Sequence, residues 1–184
     1  MTETPLIVAY CGPIAEPGKP ARGGYEAANR RLIDDLRANG VTVREYPYAG
    51  ERRSRLGKYL GYGAGFLWLA LRLGVETSRG GIFHITPLRD RFSLPEAMLC
   101  SIAKIRGAKL VVDMRAGTLA RDLQSSNRLE RSALTWIMRR ADVLAYEGVA
   151  YLDLVAPFER QNLYLPNYVN EVGPEAPGPS AVVT

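Results

Sequence analysis

Residues 6–46 read LIVAYCGPIAEPGKPARGGYEAANRRLIDDLRANGVTVREY and predict one strand–helix–strand unit. The apolar run at 6–10 is typical of a strand that is buried on both faces. After a loop rich in Gly and Pro, residues 25–39 place apolar side chains on one helical face and charged ones on the other. Gly40 stands where a left-handed helix cap belongs, and residues 41–46 then alternate as a second strand.

The same alternation of strands and helices continues along the chain. Further strands are predicted at 81–85, 110–113, 143–145 and 163–165, and further helices at 93–106, from 127 to about 141, and at 149–155. Ser93-Leu94-Pro95-Glu96 has the pattern of a capping box with proline in the first turn. The alternation predicts an α/β fold, a Rossmann-like three-layer sandwich with a mostly parallel sheet. Such sheets bind ligands at the carboxyl ends of the strands, where the strand order reverses.

Length and composition narrow the class of protein. The 184 residues predict one domain at 1–170, followed by a linker rich in Gly and Pro at 171–184. A hydrophobic fraction of 47% and a charged fraction of 23% exclude a disordered tail and a collagen-like repeat. Cys11 and Cys100 are expected to be buried thiols, and one His with two isolated Cys cannot supply a structural zinc site. Residues 1–4 lack the basic start of a signal peptide, which predicts a cytoplasmic protein.

The first candidate site is Arg22-Gly23-Gly24-Tyr25-Glu26, between the first predicted strand and its helix. Two glycines let a ligand approach the backbone, and a helix N-terminus offers free N–H groups and a positive dipole end. Arg22 adds a guanidinium suited to phosphate. The stretch therefore predicts a phosphate or diphosphate site. The alternative is a flexible turn, because neither a P-loop nor a G-x-G-x-x-G fingerprint is present.

Two further candidates follow later strands. Asp113-Met114-Arg115 ends one strand, where a carboxylate and a guanidinium could orient hydroxyls and neutralise phosphate. The alternative is a structural ion pair. His84, the one histidine of the sequence, lies near the carboxyl end of its strand and could act as an acid, a base or a hydrogen-bond donor. A half-buried structural histidine is the alternative there.

Most of the positive charge lies in one stretch. The chain has a net charge of +5, and residues 51–79 alone contribute +4. Their central apolar run at 59–75 is shorter than the ~20 residues that span a bilayer. Basic and aromatic side chains together suit an interfacial helix on an anionic membrane, and the residues we assign to such docking are Arg52, Arg53, Arg55, Lys58 and Trp68. The alternative is an ordinary crossover helix packed on the sheet. Nucleic acid is not expected, because no recognition-helix or RNP pattern appears.

The order of these motifs resembles the N-terminal half of a family 4 glycosyltransferase of the GT-B fold, over about residues 5–170. The stretches that carry the resemblance are Gly23-Gly24-Tyr25-Glu26, Ile82-Phe83-His84, Val111-Val112-Asp113-Met114-Arg115, Arg139-Arg140-Ala141-Asp142-Val143 and Leu165-Pro166-Asn167-Tyr168-Val169-Asn170. The family commonly has His where Arg115 stands, and Gly and Asp where Tyr168 and Asn170 stand. A subset with Asp-x-Arg in the second loop resembles this chain more closely.

The resemblance implies the acceptor-side half of a retaining hexosyltransferase that uses a nucleotide sugar and neither a metal nor another cofactor. Gly23, Gly24 and Arg22 would bind the donor diphosphate. His84 and Arg115 would be catalytic, and Asp113, Tyr25 and Glu26 would bind a hydroxyl acceptor, lipid-linked or polysaccharide. The C-terminal Rossmann domain that holds most of the donor in this family is expected from the same chain or a separate subunit, so this half alone is expected to be inactive. The alternative is a non-catalytic module that binds a partner chain or the membrane.

Overall fold

The structure is a computed structural model that describes residues 6–48, 55–76, 80–88, 92–115, 119–124, 127–158 and 160–166. Within the helix at 55–76, side chains are described for residues 64–75. The expectations for Arg52, Arg53, the end of the family pattern at 167–170 and the linker at 171–184 lie outside these residues.

The described residues form six strands and six α-helices. The strands are Ile7–Gly12 (β1), Thr42–Pro47 (β2), Ile82–Ile85 (β3), Lys109–Met114 (β4), Val143–Tyr146 (β5) and Gln161–Tyr164 (β6). The helices are Gly24–Ala38 (α1), Arg55–Glu76 (α2), Ser93–Ile105 (α3), Leu119–Leu123 (α4), Arg128–Arg140 (α5) and Leu152–Val155 (α6). All six predicted strands are confirmed, whereas the short helix α4 was not predicted.

The strands form one sheet in the order β2-β1-β3-β4-β5-β6, and every neighbouring pair is parallel. The chain moves outward from β1 to β2 and then crosses back over β1 to β3. The strand order therefore reverses between β1 and β3, and the carboxyl ends of these two strands flank the crevice where such sheets bind ligands. Tyr10 of β1 and His84 of β3 are register partners at this place.

Helices cover both faces of the sheet, which confirms the three-layer architecture. On one face α1 packs over a cluster formed by Val8, Tyr10, Ile14, Ile33 and Val43. On the other face α2, α3 and α5 pack over a larger core that includes Phe66, Leu69, Leu73, Leu99, Cys100, Ala103, Leu134, Ile137 and Met138. Helix α2 thus packs on the sheet with one side, as the alternative of a crossover helix predicts, and the prediction of membrane docking is left open by this packing. Cys11 and Cys100 are buried free thiols, as the sequence predicts.

Helix α1 ends in the left-handed glycine cap that the sequence predicts. Gly40 has a φ of +79°, where only glycine is unstrained. The Gly40 N–H donates to the Arg37 carbonyl, and the Val41 N–H donates to the Leu36 carbonyl, each at 3.0 Å. These two bonds satisfy carbonyl groups that the end of a helix leaves without partners. The chain then enters β2 directly.

At the start of α3, Glu96 of the predicted capping box bonds to residues outside its own helix. Glu96 is fully buried, and its Oε1 accepts hydrogen bonds from the Leu88 N–H at 2.6 Å and the Tyr48 hydroxyl at 2.8 Å. Phe92 precedes the helix and makes no side-chain cap bond. Glu96 therefore ties the first turn of α3 to the segment that follows β3 and to the end of β2.

Helix α5 begins at a true N-cap, and removing this cap has a measurable cost. The Asn127 Oδ1 accepts from the Leu129 N–H at 3.1 Å and from the Glu130 N–H at 3.4 Å. We expect Asn127→Ala to lower the free energy of unfolding by about 1 kcal/mol, measured by urea denaturation. Asn127→Asp keeps the accepting oxygen and should retain wild-type stability. Equal losses in both variants would contradict the capping role.

Candidate functional site

Three polar side chains meet at the carboxyl edge of the sheet, where β3 and β4 end. The Arg115 Nε donates to the Asp113 Oδ2 at 2.6 Å, and the His84 Nε2 lies 3.3 Å from the same oxygen. Asp113 is fully buried, and the other two side chains are nearly so. The structure therefore brings His84 together with Asp113 and Arg115, which the sequence indicates as two separate candidate sites.

The cluster is held against the first strand by an aromatic contact. The Tyr10 ring stacks on the His84 imidazole with a centroid separation of 4.3 Å and an interplanar angle of 15°. Because β1 and β3 are neighbours and the two residues are register partners, the sheet itself fixes this stack. The imidazole is thus clamped between Tyr10 and Asp113, directly at the reversal of strand order.

The electrostatics of the cluster favour an ionised Asp113. Burial by itself would raise the pKa of this carboxyl, because a charge is costly away from water. The hydrogen bond and charge of His84, together with the Arg115 guanidinium, outweigh burial and hold the pKa of Asp113 below its ordinary value. Arg115 has a raised pKa, because the charge and hydrogen bond of Asp113 outweigh its own burial. The site is therefore a buried ion pair with an imidazole beside it.

One oxygen of this carboxylate is unsatisfied within the part of the chain that the structure describes. The Asp113 Oδ1 is buried, and among the described residues it has no hydrogen-bond partner. A buried acceptor without a donor is costly, so native proteins satisfy nearly all of them with protein groups, water or ligands. A hydroxyl placed beside Oδ1 would complete the carboxylate.

The predicted phosphate-binding residues lie at the start of α1, at the same carboxyl edge as the cluster. The Arg22 N–H donates to the Glu26 Oε2 at 2.9 Å, and the Arg22 Nε donates to the Glu26 Oε1 at 3.0 Å. Burial would raise the pKa of Glu26, but its bonds to Arg22 outweigh this and lower the pKa. Arg22 is therefore engaged by Glu26, and a phosphate at this helix end would meet a largely neutralised pair.

Packing within the described residues does not explain why positions 23 and 24 are glycine. A Cβ added at either glycine would meet no atom within 4 Å of those the structure describes. Gly23 is extended, with a φ of −177°, a conformation open to any residue. What the two glycines leave is open space in front of the first turn of α1, where backbone N–H groups have no partners within the helix. Tyr25 and Glu26 occupy that first turn.

A buried polar network, which was not predicted from the sequence, links α1 to the cluster. The Tyr10 hydroxyl donates to the Asn29 Oδ1 at 3.0 Å, and the Asn29 Nδ2 donates to the Pro13 carbonyl at 2.8 Å. Thr86, directly after β3, lies with its Oγ1 3.3 Å from the Tyr10 hydroxyl and from the Asn29 Oδ1. The sequence does contain a signal for the burial of Asn29, because this residue lies one helical turn before Ile33 on the buried side of α1.

A second network of buried hydrogen bonds holds the segment that follows β3. The Tyr48 hydroxyl lies 3.0 Å from the Thr86 carbonyl oxygen and 2.8 Å from the Glu96 Oε1. Burial and the neighbouring Glu96 raise the pKa of Tyr48 well above its ordinary value, so the phenol stays protonated and remains a donor. Two networks thus hold Thr86. Its hydroxyl lies within hydrogen-bond distance of Asn29 and Tyr10, and its carbonyl accepts from Tyr48.

The proposed docking stretch is described only in part. Arg55 and Lys58 lie in the first turns of α2, and Trp68 lies farther along it with about half of its surface exposed. The Arg72 guanidinium sits over the Trp68 ring at 4.7 Å and over the Tyr46 ring at 5.1 Å, both within the range of cation–π attraction. Among the described helices, none is long and apolar enough to cross a membrane.

Within the described ranges, no three His, Cys, Asp or Glu side chains lie together as a metal site would require. Compared with known proteins, the chain matches no protein-family model and no curated protein. The resemblance to family 4 glycosyltransferases therefore rests on the sequence motifs alone.

Proposed function

We propose that this chain is the acceptor-side half of a nucleotide-sugar-dependent, retaining hexosyltransferase. The observation that carries the proposal is the buried His84–Asp113–Arg115 cluster beside the reversal of strand order, in which the Asp113 Oδ1 has no hydrogen-bond partner among the described residues. The order of motifs that resembles the GT-B family 4 pattern supports the same assignment.

The electrostatics suggest how the cluster would serve such a reaction. Sugar transfer breaks the bond between the anomeric carbon and the diphosphate oxygen, and the electron pair leaves with the diphosphate. The acceptor oxygen bonds to that carbon, and its proton passes to the departing diphosphate. Asp113, held ionised with a lowered pKa, is a weak base. It would therefore orient an acceptor hydroxyl through Oδ1 rather than remove its proton.

The growing charge on the diphosphate needs donors that are already in place. The first-turn amides of α1, open to approach at Gly23 and Gly24, would supply them, and the end of the helix dipole would add to their effect. Arg115 would lend positive charge from the cluster, and Arg22 from its pair with Glu26. In the resembling family a second Rossmann domain holds most of the donor. We propose that turnover here also needs such a partner domain, and that residues 51–79 dock the assembly on an anionic membrane.

Binding of a nucleoside diphosphate tests the phosphate part of this proposal. We expect the double variant Gly23→Ala, Gly24→Ala to bind it about tenfold more weakly than wild type in isothermal titration, equivalent to about 1.4 kcal/mol. Its stability should hold, because the added Cβ atoms meet open space. Gly74→Ala, another open position, is the matched control and should bind as wild type.

Two results would overturn the proposal. Equal affinity in the double variant and wild type would remove the phosphate site from the start of α1. Sugar transfer by the 184-residue chain alone would contradict the assignment of the main donor site to a partner domain.

A second candidate function is a non-catalytic binding module. It is favoured by two ion pairs within the chain, which already engage both of the arginines proposed to bind phosphate. Arg22 is engaged by Glu26, and Arg115 by Asp113, as structural ion pairs would be. A module of this kind would bind neither nucleoside diphosphate nor nucleotide sugar. The same titration separates the two functions, because binding that the double glycine variant loses supports the hexosyltransferase half, whereas a module would show no binding that depends on these glycines.

A further inference from the structure

The helical layer on one face of the sheet has an unusual outer surface. Helices α2, α3 and α5 lie side by side, with α3 packed between the other two. In α3 the buried residues Leu99, Cys100 and Ala103 face the sheet. Leu94, Met98 and Ile105 recur at helical spacing on the opposite side, and Ile105 is 84% exposed. The middle helix thus presents an apolar strip to solvent.

Helix α2 repeats this arrangement beside it. Its buried residues Phe66, Leu69 and Leu73 face the core, whereas the opposite side carries Trp68, Leu71 and Val75. Leu71 is 64% exposed and Val75 is 81% exposed. We call the solvent side of α2, α3 and α5 the outer face. Two neighbouring apolar strips are more than the single scattered hydrophobic residues that ordinary surfaces carry.

The charge of the outer face is strongly one-sided. Exposed basic residues belong to the same helical layer, namely Arg106 directly after α3, and Arg128, Arg131, Arg139 and Arg140 on α5. The acids in the sequences of the three helices are Glu76, Glu96 and Glu130. Of these, Glu96 is fully buried, and Glu130 is partly buried. Among the side chains that the structure describes on these helices, the exposed charge is therefore positive, and Asp142, directly after α5, is partly buried and paired with Lys104.

We propose that the outer face docks flat on an anionic lipid bilayer. Exposed apolar side chains, a half-exposed tryptophan and exposed arginines in one helical layer match the acyl boundary and the negative headgroups of such a surface. A second copy of the chain fits less well, because a twofold interface would bring the arginines of α5 against the same face of the partner. The proposal adds α3 and α5 to the docking proposed for residues 51–79, and it does not depend on sugar transfer.

Flotation of the 184-residue chain with lipid vesicles tests the proposal. We expect binding to vesicles with about a third anionic lipid, and much weaker binding to neutral phosphatidylcholine vesicles. Met98→Glu with Ile105→Glu should lower the bound fraction at least tenfold, because carboxylates would enter the apolar strip of α3. Arg139→Glu with Arg140→Glu should lower the bound fraction at least fivefold at low salt, because each basic residue near an anionic surface adds its own electrostatic attraction to the binding free energy.

The control is Leu163→Glu, an exposed apolar position on β6 outside the helical layer. It should bind as wild type. The substituted positions on α3, α5 and β6 are exposed, and thermal melts followed by circular dichroism should show that every variant is folded.

Several outcomes would overturn the proposal. Wild-type binding by the Met98→Glu, Ile105→Glu variant is one of them. If charge reversal at Arg52, Arg53 and Arg55 abolishes binding while the α3 variant binds normally, docking belongs to residues 51–79 alone. If no vesicle binds and light scattering shows a dimer that the α3 variant loses, the face joins two copies of the chain. Absence of both vesicle binding and dimer would also refute it.

Discussion

Replacement of Asp113 by Asn is expected to lower the free energy of unfolding by about 3–5 kcal/mol, because it leaves a buried guanidinium without its counter-charge. The Arg115 side chain is only 3% exposed and bonds to Asp113 at 2.6 Å. The substitution keeps the shape of the side chain and removes the charge, so the loss reports electrostatics rather than packing. Urea denaturation at pH 7 measures it.

Asp34→Asn is the matched control, since it removes a carboxylate from an exposed ion pair. The Asp34 Oδ1 lies 3.7 Å from the Arg30 Nη1, and the Asp34 side chain is 56% exposed. Such surface pairs contribute about 0–1 kcal/mol. A loss at Asp113 as small as the loss at Asp34 would contradict the buried ion pair as a source of stability.

The cost of Asp113→Asn should also depend on pH, with a sign that the pKa fixes. Burial raises the pKa of Asp113, but His84 and Arg115 lower it more, so the folded value lies below that of the unfolded chain, about 3.9. The carboxylate therefore stabilises the fold above about pH 4, and this stabilisation is lost as pH falls toward the folded pKa. The difference between wild type and variant should be full at pH 7 and shrink below pH 4.

The sequence predicted the sheet well because its signals are local. Most strands contain a short apolar run, β2 alternates between polar and apolar residues, and the glycines that follow α1 and α3 have the positive φ that ends a helix, at Gly40 and Gly107. The exposed outer face was less predictable. The basic and aromatic residues at 51–79 suggested docking, whereas no local signal shows that Leu94 and Ile105 of α3 lie on its exposed side. Only the packing of three helices in one layer shows which side they occupy.

The site was predictable in its parts and not in its pairings. The rule that ligands bind at the carboxyl edge of a parallel sheet placed His84 and Asp113 at the right ends of their strands. Their contact depends on β3 and β4 being neighbours, which periodicity alone does not specify. Arg22 illustrates the same limit, since its spacing to Glu26 allows an ion pair as readily as a phosphate contact. The partners of Tyr10, at Asn29 and Thr86, are distant in sequence and have no local signal at all.

Gly12, at the end of β1, should tolerate no side chain, because the network that supports the site closes around it. Its φ is +159°, and a Cβ would lie 3.2 Å from the Thr86 Cβ, 3.3 Å from the Thr86 carbonyl oxygen and 3.4 Å from the Asn29 Nδ2. Neither neighbour can withdraw freely, since Tyr48 holds the Thr86 carbonyl and Pro13 holds the Asn29 amide. We expect Gly12→Ala to lower the free energy of unfolding by about 2–3 kcal/mol, from backbone strain and crowding together.

Two other glycines separate these causes in the same urea experiment. Gly18 has a φ of +75° and open space around it, so Gly18→Ala should show the strain of a positive φ alone, about 1 kcal/mol. Gly23 is extended and open, and Gly23→Ala should cost almost nothing. If Gly12→Ala costs no more than Gly18→Ala, the close approach of Thr86 and Asn29 carries no stability. A larger loss, with a changed near-ultraviolet circular dichroism signal from Tyr10 and Tyr48, would show that crowding at this glycine disturbs the tyrosines that position the His84 edge of the sheet.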